Sequence, residues 1–359
     1  MKKIIILILF LLFPYKVVAI SASSSIAMDL DNGRIFHANN IDDERLIASI
    51  TKIMTTVVVL EYGDINEEVE VGEEVLKAYG SAIYIEVGEK LTLKDLLYGL
   101  MLRSGNDAAI EIAYNVAGSM ENFAVLMNEE ASKIGMKNTH FYNAHGLEEA
   151  DGSGNTSTAR DMALLTKYAM QNETFREIFG TKTYQVKTNY KTYSWTSKNK
   201  LIHRYDFITG GKTGFTEKAR RTLVTTASQN NINVVVVTLN DGNDFQDHIS
   251  LYEDIFSKYE AVKVIDKNNL KIKNDNVYKN NTLYTYNDVY IPVTGSEKKS
   301  LKVNYQLYDN IKYSDKDKVG KAEIYLGDEL IREENIYVKV PKDNNKLSWW
   351  PKFLRWLKW

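Results

Sequence analysis

Apolar residues fall in two rhythms along the chain. At helical spacing, Ile50, Ile53, Met54, Val57 and Val58 predict a core helix from Ser49 to about Tyr62, where Gly63-Asp64 stops it. Leu96, Leu97, Leu100 and Met101 mark a second helix, opened by the capping-box-like Thr92-Leu93-Lys94-Asp95 and interrupted at Arg103-Ser104-Gly105-Asn106-Asp107. The apolar pattern resumes over 108–117 as a buried helix. An amphipathic helix follows over 120–134, and further helices run from the Ser157-Thr158 cap to about Gln171 and over 244–259. Strands are expected at 25–28 and 34–37, joined by Asp31-Asn32-Gly33, at 67–71 and 82–86, and at 222–228 and 232–239. Residues 135–154 read as loop.

Beyond about Val262 the period becomes two, as in Leu301, Val303, Tyr305, Leu307 and in Ile336, Val338, Val340, with Gly327-Asp328 as a hairpin turn. This predicts a small all-β domain. The two ends have characters of their own. Lys2 and Lys3 precede an apolar run over 4–13 and then Val17-Val18-Ala19, the form of an export signal cut after Ala19 or Ala22. The last twelve residues hold four of the five tryptophans, and on a helix Lys352, Arg355 and Lys358 gather opposite Phe353, Leu354, Trp356 and Leu357, as in an interfacial membrane anchor. The expected layout is a signal peptide at 1–22, a catalytic domain at 23–260, the β domain at 261–342 and a membrane-binding tail at 343–359.

Composition narrows the possibilities. A net charge of −2 over 359 residues offers no basic field for nucleic acid. An exported chain without cysteine has neither disulfides nor thiol chemistry. Five histidines, none paired at ligand spacing, imply no metal, and His145 reads as structural.

The candidate chemistry lies in three polar islands within this apolar pattern. Ser49 and Lys52, three apart at the front of a core helix, share one face, and burial favours the neutral amine that could take the serine's proton. Ser197 with Lys200 and Ser296 with Lys299 repeat the spacing in polar surroundings and read as solvated faces. Ser104 and Asn106 sit on a turn between two core helices, where the serine can relay a proton to a leaving amine and the amide can hold a substrate amide. Lys212 and Gly214 lie on or beside a strand with alternate residues on one face, the glycine leaving room for a substrate backbone and Thr213 bonding from the edge. Lys212 would place positive charge near a substrate carboxylate and Ser104. The Ser49 and Phe215 N–H groups are the natural oxyanion pair, which completes the parts of an acyl transfer.

With these three motifs in order, the chain resembles the serine-type D-alanyl-D-alanine carboxypeptidases, the low-molecular-mass penicillin-binding proteins. Gly88-Glu89-Lys90-Leu91-Thr92, Leu96-Leu97-Tyr98-Gly99-Leu100-Met101, His145-Gly146-Leu147 and the stretch 157–163 extend the likeness over nearly the whole chain. The resemblance implies an α/β (α+β) transpeptidase/β-lactamase-like domain, an antiparallel sheet flanked by helices, followed by an all-β domain and a tail on the outer face of the cytoplasmic membrane. It implies removal of the terminal D-alanine from peptidoglycan stem pentapeptides through a Ser49 acyl-enzyme, covalent inhibition by β-lactam antibiotics, and no metal or cofactor. Leu46-Ile47, Arg103 and Ala219-Arg220-Arg221 depart from the family's usual residues, and the two arginines bear on the cleft's charge. A class A-like β-lactamase usually has aspartate where Gly105 stands and needs a glutamate-directed water, for which 106–212 offers no convincing loop. A non-catalytic peptidoglycan-binding scaffold would not require every polar group to be retained.

Overall fold

The computed structural model describes residues 19–149, 151–270, 272, 277–278, 281–309 and 312–341. Most of the expected signal peptide and all of the expected tryptophan-rich tail lie outside them. The described residues divide into two compact units: those within 19–27, 36–227 and 235–255 form the first, and those within 28–35, 228–234 and 256–341 the second. Among the described residues, no helix is long and apolar enough to cross a membrane.

A five-stranded sheet is built from β1 (Ser24–Asp29), β2 (Ile35–Asn39), β3 (Ile208–Thr216), β4 (Arg220–Gln229) and β5 (Ile232–Leu239). Its order is β2-β1-β5-β4-β3, so the strand carrying Lys212 lies at an edge. β3 runs antiparallel to β4 with Gly214 opposite Thr222 and Lys212 opposite Val224.

Three helices supply the rest of the site: α1 (Lys52–Tyr62), α2 (Leu93–Tyr98) and α3 (Asn106–Ala117). Ile53, Met54, Val58 and Val59 make α1 a core helix without exposed apolar atoms on its inner face. A short 3-10 turn, Ala48–Thr51, precedes α1, so Ser49 sits in that turn and Lys52 is the first α-helical residue. α2 begins with the expected capping box between Thr92 and Asp95, and is continued by a π-helical turn, Gly99–Arg103, that delivers Ser104.

One expected strand is absent. Among the described residues, 82–86 pair with no strand: Tyr84 turns to φ 63°, and the Asp107 carboxylate accepts the Ile83, Tyr84 and Ile85 N–H groups. A carboxylate at the first turn of α3 thus satisfies donors that a ladder would otherwise use.

The second unit bears out the two-residue period. Leu301–Leu307, Lys318–Leu326 and Glu329–Lys339 pair in succession, and Thr282–Tyr284 pairs with the outer side of the last. Val319, Ala322, Ile324, Ile336 and Val338 pack with Ile265, Val289 and Ile291 as its core. Gly327, at φ 65°, makes the turn.

Candidate active site

The three motifs, remote in sequence, meet at the cleft face of β3. Lys52 is fully buried, and its Nζ lies 3.1 Å from Ser49 Oγ, 2.8 Å from Asn106 Oδ1 and 2.6 Å from the His145 carbonyl. Each of these three oxygens can accept from the amine. Burial, with the charges of Lys212 and Lys198, pushes the Lys52 amine well below the usual lysine range, and Asp107 pulls the other way. Once neutral, Nζ has a lone pair and can accept the Ser49 O–H, the arrangement a nucleophile and its base require.

Asn106 is fixed from both sides. Its Nδ2 donates to the Tyr79 carbonyl at 2.6 Å and its backbone N–H to the Ser81 carbonyl at 2.7 Å, which orients Oδ1 toward Lys52. Ser104 is buried and held at φ 63°, ψ 38°, a left-handed conformation that side chains other than glycine rarely take. Lys212 Nζ donates to its hydroxyl at 3.1 Å and to the Thr213 carbonyl at 2.6 Å. Burial, then the nearby charge of Lys198, brings the Lys212 amine down to about 7. Ser49 and Ser104 are therefore each paired with a lysine of depressed basicity.

Gly214 explains how β3 comes so close to Ser49. A Cβ there would stand 2.3 Å from Thr222 Oγ1 and 3.0 Å from the Ser49 nitrogen. Thr222 Oγ1 donates in turn to the Ile47 carbonyl at 2.9 Å, tying β4 to the turn that carries Ser49. Thr213 is partly exposed, while Phe215 is 60% exposed at the strand's open end.

Sequence reasoning did not reach several supporting groups. The carbonyls of Tyr79, Ser81 and His145 hold Asn106 and Lys52, and backbone oxygens carry no sequence signal. The His145 ring accepts the Leu147 N–H at Nδ1, and burial lowers its basicity to about 3, so it stays neutral. Glu148 accepts from Thr216 Oγ1, one residue beyond Phe215, and its carbonyl accepts from Tyr79 Oη at 3.3 Å. Lys198, beside a stretch that reads as solvated, reaches Ser81.

A family model described as D-alanyl-D-alanine carboxypeptidase matches residues 13–243, and one described as penicillin-binding protein 5, C-terminal domain, matches residues 259–341. The chain belongs to the family of serine D-alanyl-D-alanine carboxypeptidases. It is 31% identical over 256 residues to the carboxypeptidase DacF of Bacillus subtilis, covering 69% of this chain and 65% of that protein. It is 27% identical over 352 residues to DacA of Escherichia coli, covering 90% and 85%. Among solved structures, penicillin binding protein 5 of Haemophilus influenzae superposes with a TM-score of 0.69 at 25% identity, over 89% of this chain and 97% of that one. The expected catalytic fold and all-β C-terminal domain are those of this family.

Proposed function

We propose that the chain removes the terminal D-alanine from peptidoglycan stem pentapeptides by acyl transfer to Ser49. The observation that carries this reading is the double serine–lysine arrangement, Ser49 with Lys52 and Ser104 with Lys212, assembled around one glycine-lined strand edge. The neutral Lys52 amine takes the Ser49 proton as Oγ attacks the penultimate carbonyl carbon. The Ser49 and Phe215 N–H groups receive the developing oxyanion. Ser104, between the cleft and Lys212, passes a proton to the departing D-alanine amine. Asn106 holds the substrate's amide, and Lys212 and Thr213 face its carboxylate. Water then releases the shortened peptide by the reverse proton path.

The same chemistry makes β-lactams covalent inhibitors, because the opened ring remains tethered and no separate leaving group clears the site. Export suits a substrate outside the cytoplasmic membrane, and the basic, tryptophan-rich tail suits peripheral attachment to the membrane's outer face. In this reading residues 1–22 are the signal, 23–260 the catalytic domain, 261–342 the β domain and 343–359 the anchor.

The decisive experiment is D-alanine release from a stem pentapeptide by the mature chain and by Ser49→Ala, with a penicillin adduct read by intact mass. Release and a single stable adduct, both lost in Ser49→Ala, are the expected results. Rapid penicillin turnover would point to a β-lactamase, and an unreactive Ser49 to a scaffold.

A further inference from the structure

The segment between the Thr192–Thr196 strand and β3 contains a lysine that none of the three motifs includes. Lys198 is solvent-exposed, and its Nζ donates to Ser81 Oγ at 3.1 Å. The Ser81 carbonyl accepts the Asn106 N–H at 2.7 Å, and Asn106 Oδ1 is the acceptor 2.8 Å from Lys52 Nζ. On its other side, the Lys198 backbone N–H donates to the Leu102 carbonyl at 3.1 Å, inside the π-helical turn that delivers Ser104. One residue is thus bonded to the supports of both catalytic pairs.

We propose that Lys198 is a positioning residue of the carboxypeptidase site: its ammonium fixes the Ser81 loop that holds Asn106, and its charge sets the field at both Lys52 and Lys212. The inference rests on the acyl-transfer reading above.

The electrostatics agree with this placement. Lys198 charge disfavours protonation of both buried amines, at Lys52 after that of Lys212 and at Lys212 next after burial itself. The other charged groups facing the cluster are Asp107, which favours a charged Lys52, and Arg103, which disfavours a charged Lys198. His145 remains neutral and adds no charge of its own. Since Lys52 must be neutral to act as base and Lys212 charged to face a carboxylate, removing the Lys198 charge should move both arms of a bell-shaped profile to higher pH. Loss of a merely structural contact would lower the bell without moving it.

The test compares wild type, Lys198→Met and Lys198→Arg in D-alanine release and in the second-order rate of fluorescent-penicillin acylation between pH 5 and 10. In Lys198→Met, both arms shift upward, and kcat/KM on the acid limb falls about tenfold while the rate on the alkaline limb is kept or raised. Lys198→Arg restores the wild-type arms. In the wild type, added salt moves the arms the same way as Lys198→Met, because an exposed charge is screened. This last readout needs no variant to fold. Arms that stay in place in Lys198→Met and in high salt overturn the proposal. Penicillin acylation follows the pH profile even if pentapeptide is not the substrate, so failure of the parent reading is seen separately.

Discussion

At the scale of single residues, the site depends on what is missing at Gly214 as much as on what is present at Ser49. The 3.0 Å separation between a notional Gly214 Cβ and the Ser49 nitrogen leaves no room for a methyl group, and Thr222 Oγ1 blocks the way out at 2.3 Å. Gly214→Ala must therefore push β3 away from the Ser49 turn and crowd Thr222 of β4, whose hydroxyl is bonded to the Ile47 carbonyl. A displacement of this kind at reacting atoms costs on the order of 100-fold in rate. The expected result is a penicillin acylation rate down about 100-fold with far-ultraviolet circular dichroism unchanged. Unaltered acylation would show that the close approach of β3 has no part in catalysis. Lys52 and Lys212 teach a related lesson, since the fold strips both amines of water and lowers their basicity, that of Lys212 to about 7.

At the scale of elements, α2 acts as a short, well-capped lever for Ser104. Thr92 Oγ1 accepts the Asp95 N–H at 3.1 Å and Asp95 Oδ2 accepts the Thr92 N–H at 2.9 Å. Thr92→Ala removes one of these bonds and should destabilise the fold by about 1 kcal/mol. A domain of this size then loses about 2–4 °C in melting temperature, measurable by calorimetry. A drop of this size with the acylation rate retained would show that the cap supports the fold and leaves Ser104 in place. These helices were legible because period and punctuation agreed: the 120–134 helix has the expected ends, with Ser119 as cap and Gly135 at φ 88° as stop. The strand expected at 82–86 failed because its alternation was real but its hydrogen-bond partner was a carboxylate more than twenty residues away. The stretch 172–207 drew no assignment, although Tyr193 and Trp195 alternate inward there between exposed threonine and serine. Its strands, Thr183–Lys187 and Thr192–Thr196, form a two-stranded ribbon, and a polar outer face masks the period. That Ser49, Lys52, Ser104 and Lys212 gather in one place could be read from spacing, whereas the carbonyls and the Lys198 contact around them could not, since any residue type supplies a carbonyl and an exposed lysine is commonplace.

At the scale of the whole molecule, a buried histidine ties the catalytic unit's stability to pH. His248, on the Asp244–Lys258 helix, is fully buried, with Nδ1 2.7 Å from Thr225 Oγ1 and Nε2 3.1 Å from Thr238 Oγ1. It joins the helix to β4 and β5, and burial lowers its basicity to about 3. The unfolded chain binds a proton at this histidine below about 6.5, whereas the folded chain does so only near 3. The histidine's contribution should therefore be complete above about pH 6.5 and fall by about 1.4 kcal/mol per pH unit as the pH drops through the window between the two. Asp244 and Asp247 on the same helix are pushed upward by burial, so they take up protons more readily when folded and partly offset this loss toward the acid end. His248→Gln removes the histidine's contribution while leaving theirs in place. Urea unfolding followed by loss of penicillin labelling at pH 7, 6 and 5 separates the two. Between pH 7 and 5 the wild type should lose about 2 kcal/mol more than His248→Gln, which is less stable at pH 7 and has the flatter dependence. Parallel curves for the two proteins would place the acid sensitivity in groups other than His248, such as His37, whose basicity burial also lowers.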